Sequence, residues 1–103
     1  MRFYTTQHRL GRGTDVTWRA KHLFSPTYDL VRAYKESRID WDTYREKYLN
    51  LLRIRYAADP EKFVQTVKPN EIFMCFCNPK DHCHRQILAG VLTKLGHEYG
   101  GEI

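Results

Sequence analysis

Apolar positions change their spacing along the chain, and each change marks an element. Arg2-Phe3-Tyr4-Thr5-Thr6 is aromatic and Thr-rich and reads as a short strand. Gly11-Arg12-Gly13 breaks what precedes it, and Asp15-Val16-Thr17-Trp18 reads as a second short extended piece. From Ser25 the spacing lengthens to three and four. Ser25-Pro26 supplies a capping hydroxyl and a first-turn proline, Asp29 suits the helix dipole, and Leu30, Val31 and Tyr34 form the apolar side. Asp40 is expected to cap a second helix running to about Ala57. Its inner face carries Trp41, Tyr44, Tyr48, Leu51, Leu52 and Arg55. Asp59-Pro60 repeats the cap and proline, with Phe63, Val64 and Val67 inward, and Lys68-Pro69-Asn70 ends that helix.

The run Ile72-Phe73-Met74-Cys75-Phe76-Cys77 is apolar without alternation. It predicts a strand buried on both faces, as in a sheet sandwiched by helices. His84, Ile87, Leu88, Val91, Leu92 and Leu95 stripe a last helix, Gly96 stands at its C-terminal cap, and residues 97–103 add a short strand or tail. This order predicts an α/β class. The expected architecture is a small single-domain layered fold over residues 1–103, with a short, mainly parallel sheet packed by about four helices.

Composition narrows the class. At 103 residues, 42% hydrophobic and 28% charged, the chain is long enough for one core and is neither disordered nor collagen-like. The longest apolar run is too short to cross a membrane, and the N-terminus lacks the apolar core of a signal peptide. Three cysteines, an odd number, point to reduced thiols and a cytoplasmic setting. The net charge of +5 is uneven: residues 1–40 hold eight Lys/Arg against four acids, whereas residues 71–103 hold three against four. Such an early basic segment serves either an anionic ligand or a solvated surface. The chain lacks the Lys/Arg-rich runs of a dedicated nucleic-acid binder.

Chemistry concentrates between Cys75 and Arg85, which hold all three cysteines and two of the five histidines. The stretch joins a buried strand to a helix, the place where α/β sheets bind ligands. Either Asp81 or Asn78 can cap that helix. With Asp81 as cap, Cys83 lies in the first turn, where dipole and cations favour the thiolate. Arg85 there opposes the dipole unless an anion or carboxylate stands before the helix, with Lys80 and His82 as support. Plainer readings compete. His84 opens the apolar stripe, so its ring can point inward to a backbone carbonyl. Cys75 and Cys77 can be small buried hydrophobes. Cys75, Cys77 and Cys83 with His82 or His84 would also suit zinc, although Cys-x-Cys is a less usual spacing. The stretch is not a Cys-x5-Arg phosphate loop, since Cys77 lies too far from Arg85 and Cys83 too near. Tyr44 and Tyr48 fall at core spacing, while Trp18 lies beside Arg19 in the basic segment.

Three blocks in order resemble a known family. They are Asp15-Val16-Thr17; Phe24-Ser25-Pro26-Thr27-Tyr28-Asp29-Leu30-Val31 with Tyr34-Lys35 and Ile39-Asp40-Trp41; and Phe73-Met74-Cys75-Phe76-Cys77 with Cys83-His84-Arg85, Leu95-Gly96 and Tyr99-Gly100-Gly101-Glu102. This pattern resembles the small members of the domain-of-unknown-function family numbered 488, which occur in bacteria, archaea and phages. The resemblance implies a compact α/β fold with a pocket around Cys-His-Arg and supplies no settled reaction. Larger members carry a Gly-His-Ser type turn after the first strand, where this chain has Thr5-Thr6-Gln7-His8.

The leading expectation is a protein that binds an anionic small molecule, a nucleotide or nucleoside derivative. Arg85 would clamp the anion, His82 and Cys77 would line the site, Arg9, Arg12 or Arg19 would close over it, and Trp18 would lend an apolar wall. The alternatives are a Cys-dependent enzyme with Cys83 as nucleophile and His84 or His82 as base, a structural zinc module on Cys75, Cys77, Cys83 and His84, and a nucleic-acid or host-protein binder. No cofactor and no membrane partner are expected, and the oligomeric state stays open.

Overall fold

The computed structural model describes residues 1–7, 11–75 and 84–103. Four strands, β1 (Arg2–Thr6), β2 (Thr14–Asp15), β3 (Glu71–Met74) and β4 (Glu98–Glu102), form one sheet in the order β2-β3-β1-β4. Every pairing is parallel, with Thr5 opposite Phe73 and Phe3 opposite Tyr99. The described residues also form a short 3-10 helix at Trp18–Ala20 and four α-helices: α1 (Tyr28–Lys35), α2 (Trp41–Ala58), α3 (Pro60–Gln65) and α4 (His84–Lys94). This is the expected small α/β architecture. Among the described residues, no helix is long and apolar enough to cross a membrane.

The helix signals were legible, with one displacement. Asp40 accepts from Thr43 N–H at 2.8 Å and Asp59 from Lys62 N–H at 3.1 Å, both as cap residues. α1 begins later than Ser25-Pro26 suggests. Its cap is Thr27, whose hydroxyl accepts from Leu30 N–H at 3.2 Å. The Ser25 hydroxyl is engaged elsewhere, accepting from His22 N–H at 3.0 Å and donating to the Thr17 carbonyl at 2.7 Å. Gly96 ends α4 with φ +99°. Gly96 N–H bonds the Thr93 carbonyl and His97 N–H the Leu92 carbonyl, each at 3.1 Å, the paired bonds of a Schellman motif. The start of α4, and so the choice between Asp81 and Asn78 as its cap, lies outside the described residues.

The core corrects one expectation. Phe3, Phe73, Cys75 and Val16 meet Leu30 of α1, Tyr44, Tyr48 and Leu52 of α2, Phe63 of α3, and Leu88 and Leu92 of α4 in one cluster. Among the described residues, α1 to α4 thus pack on one face of the sheet, which is not sandwiched between helices. Topology supplies the reason. The crossovers β2→β3 and β3→β4 both step the same way across the sheet, and right-handed crossovers of one direction place their helices on one side. Ile72, on the opposite face, is buried but stands outside that cluster.

Candidate functional site

Because all strands are parallel, their carboxyl ends share one edge of the sheet. Gln7 follows β1, Val16 follows β2, Cys75 follows β3, and Glu102 closes β4. The neighbours β1 and β3 send the chain in opposite directions across the sheet, β1 toward β2 and β3 toward β4. Such a switch point is where open parallel sheets bind ligands. α4 presents His84 and Arg85 to this edge, both within its buried face.

His84 joins two strand ends. Its Nε2 lies 2.9 Å from the Val16 carbonyl. A carbonyl only accepts, so Nε2 carries the proton and Nδ1 is left as an acceptor. Nδ1 stands 3.5 Å from Cys75 Sγ, where a thiol can donate to it. Burial, with a smaller push from the Arg85 charge, outweighs the Val16 carbonyl bond and Asp15, which raise the imidazole pKa, and leaves it lowered to about 4. The ring is therefore neutral at pH 7. It also meets the Tyr48 ring edge-on at 5.5 Å.

Arg85 is 1% exposed and bound on several sides. Its Nε pairs with Glu102 Oε1. Its Nη2 reaches Glu102 Oε2 and Gln7 Oε1, each at 3.4 Å, and Nη1 reaches the Cys75 carbonyl at 3.4 Å. Thr5 donates to Glu102 Oε1 at 3.2 Å and meets the Tyr99 hydroxyl at 2.5 Å. A local irregularity in β4 sets this up. Phe3 pairs with Tyr99, yet Thr5 pairs with Glu102 rather than Gly101. The extra residue is Gly101, at φ +103°, a conformation that glycine adopts without strain. The bulge brings Glu102 opposite Thr5, within reach of Arg85. The carboxylate expected before Arg85 is thus the chain's own.

Arg9, Cys77, His82 and Cys83 lie outside the described residues. Arg12 is exposed, and Arg19 stands over the Trp18 ring at 5.2 Å. Arg19 is drawn to an aromatic face, and among the described residues the Arg85 guanidinium is bound by Glu102, Gln7 and the Cys75 carbonyl. Trp18 packs on Tyr28 at 4.6 Å. Of the four residues in the zinc alternative, Cys75 and His84 are adjacent and the other two are outside the described set. Among the described residues, no three His, Cys, Asp or Glu side chains could hold a metal. Sequence reasoning gave Glu102 no role, although it closed the quoted Tyr-x-Gly-Glu stretch. The available signal was Arg85 itself, since a cation on a buried helix face needs a carboxylate from another segment. Thr5, Gln7 and Val16 carried no such signal.

A family model named DUF488-N3a, described as the active DUF488-N3 subclade, matches residues 5–96. No curated protein matches the chain. No solved structure does either.

Proposed function

Because the chain belongs to the DUF488 family, we propose that the carboxyl edge of its sheet binds an anionic small molecule, a nucleotide or nucleoside derivative, at Arg85. The observation that carries this reading is a sealed guanidinium at the strand switch point whose counter-ion is only partly sealed. The Arg85 side chain is 2% exposed and that of Glu102 is 42% exposed. Glu102 can turn into water at small cost, whereas a buried cation cannot stand alone. Departure of Glu102 and arrival of a ligand phosphate or carboxylate are therefore coupled, as an exchange of anions. The arginine fork suits either group. The early basic segment adds a favourable field.

A thermal-shift panel of nucleotides, nucleosides and sugar phosphates tests this. A ligand at a hundredfold its Kd is expected to add about 2.7 kcal/mol of stability. Nucleosides without phosphate should add less. Glu102→Gln, which removes the internal competitor, should show a larger ligand-induced increment over its own ligand-free midpoint. If no member of the panel stabilises the wild-type protein, the reading fails.

The pair Cys75–His84 favours a second reading, a thiol-dependent enzyme, and the subclade's description as active supports it. Here Cys75 takes the nucleophile's place that sequence reasoning gave to Cys83. His84 Nδ1 is the acceptor and the Val16 carbonyl fixes the ring. Two facts rank it second. Cys75 is 3% exposed, and a base that protonates near pH 4 takes a thiol proton poorly. On a Cys77→Ser, Cys83→Ser background, iodoacetamide reads Cys75 alone. Activation predicts labelling of the folded protein well below pH ~8.5, the ordinary thiol value. Labelling confined to higher pH, or to the unfolded chain, removes this reading.

A further inference from the structure

We propose that Trp18 and Tyr28, flanked by Arg19 and Arg32, form a stacking platform for single-stranded nucleic acid, separate from the Arg85 site. Trp18 opens the 3-10 helix and Tyr28 opens α1. Their ring centroids lie 4.6 Å apart at 53°. The Arg19 guanidinium stands 5.2 Å from the Trp18 centroid and that of Arg32 stands 6.0 Å from the Tyr28 centroid. Four side chains from two elements thus form a row of cation, ring, ring and cation on the protein surface.

Packing accounts for only half of this row. Trp18 is half-buried and ties the 3-10 helix to α1. Tyr28 is 48% exposed, and both arginines are exposed. An exposed tyrosine ring and two exposed guanidiniums are more than such a tie requires. Bases offer flat faces to aromatic rings, and the intervening phosphates offer charge to arginines, which is how single strands are held without sequence preference. An exposed cation–ring contact is weak enough for a base to displace. A duplex keeps its base faces covered, so the platform fits unpaired strands. Charge complementarity points the same way, with eight Lys/Arg against four acids in residues 1–40. Two acids stand close by. Glu36 accepts from Arg32 Nε at 3.0 Å, and Asp29 is exposed beside Tyr28. Arg32 is therefore a shared cation and Arg19 the principal one.

The test uses the full chain and an oligothymidylate. Trp18 and Trp41 are the two tryptophans. In a Trp41→Phe variant, quenching of the remaining fluorescence reports a base on Trp18. We expect quenching at low salt that weakens as salt rises. Trp18→Ala and, independently, the exposed Tyr28→Ala should each lower affinity roughly five- to hundredfold by anisotropy, and Trp18→Phe should restore most of it. Arg19→Ala with Arg32→Ala should make the salt dependence shallower by about one logarithmic unit. No quenching at low salt overturns the proposal. So does unchanged affinity in Tyr28→Ala, or a duplex of equal length binding as tightly as the single strand. Arg85→Met should leave this binding unchanged, which separates its failure from failure of the anion site.

Discussion

Glu102→Gln is expected to destabilise the fold by about 3–5 kcal/mol in urea denaturation, and more than Arg85→Met does. The asymmetry follows from which partner is sealed. Among the described residues, removing the Glu102 charge leaves the buried guanidinium with neutral acceptors, the Cys75 carbonyl and Gln7 Oε1, both at 3.4 Å. Removing Arg85 instead leaves a carboxylate that is already 42% exposed and can turn to solvent. The double variant Arg85→Met, Glu102→Gln should accordingly be more stable than Glu102→Gln alone, because the uncompensated charge is gone. Domains of this size are stable by about 5–15 kcal/mol, so the single acid controls a large share of the total. A Glu102→Gln protein within ~1 kcal/mol of wild type, the scale of an exposed pair, would show that water already shields Arg85. That result would also weaken the coupled anion exchange.

The second large effect is a loss of stability on mild acidification, traced to His84. Its imidazole titrates at 6.5 in the unfolded chain and at about 4 when folded. Between those values the unfolded state holds more protons, so stability rises with pH through the window. The contribution is complete above 6.5 and lost as the pH falls to about 4. Over that span it amounts to roughly 3 kcal/mol. His22, held down mainly by its own burial, acts in the same direction. Asp40 and Glu98, whose carboxyls are held below their ordinary values mainly by hydrogen bonds to Thr43 and Arg2, respectively, lose stability only at the acid end. His84→Gln separates these terms, since its amide can still donate to the Val16 carbonyl without titrating. Denaturation midpoints from pH 7 down to about 4 should fall steeply in wild type and far less in the variant. Equal slopes in both proteins would assign the effect elsewhere.

Local chemistry was readable in this chain, and long-range pairing was not. Asp40 and Asp59 were legible as caps because a cap is decided within four residues. Thr27 displaced Ser25 because the Ser25 hydroxyl answers to Thr17 and His22, contacts that helix signals do not contain. β3 read as a strand from its apolar run. Which face its helices cover depends on strand order, and no local pattern encodes that. At the site, His84 and Arg85 stood out by composition. Their partners Val16 and Glu102 lie 68 and 17 residues away and are fixed by sheet register and the Gly101 bulge. The inward ring of His84 was one of two expectations, and the Val16 carbonyl bond matches it. The Cys75 contact was missed because a buried cysteine and a paired one look alike in sequence.

The strand order also bears on how the molecule comes into being. β1 is made well before its partners β3 and β4, which begin at Glu71 and Glu98. During synthesis the apolar Phe3 strand therefore emerges with both edges unpaired, while α1, α2 and α3 can already pack on one another. The sheet closes around β1 only when β4 arrives, and the Arg85–Glu102 pair forms in that step. Until then an open, aromatic strand is available to other nascent chains, so crowded synthesis is the moment at which this protein is most exposed to aggregation.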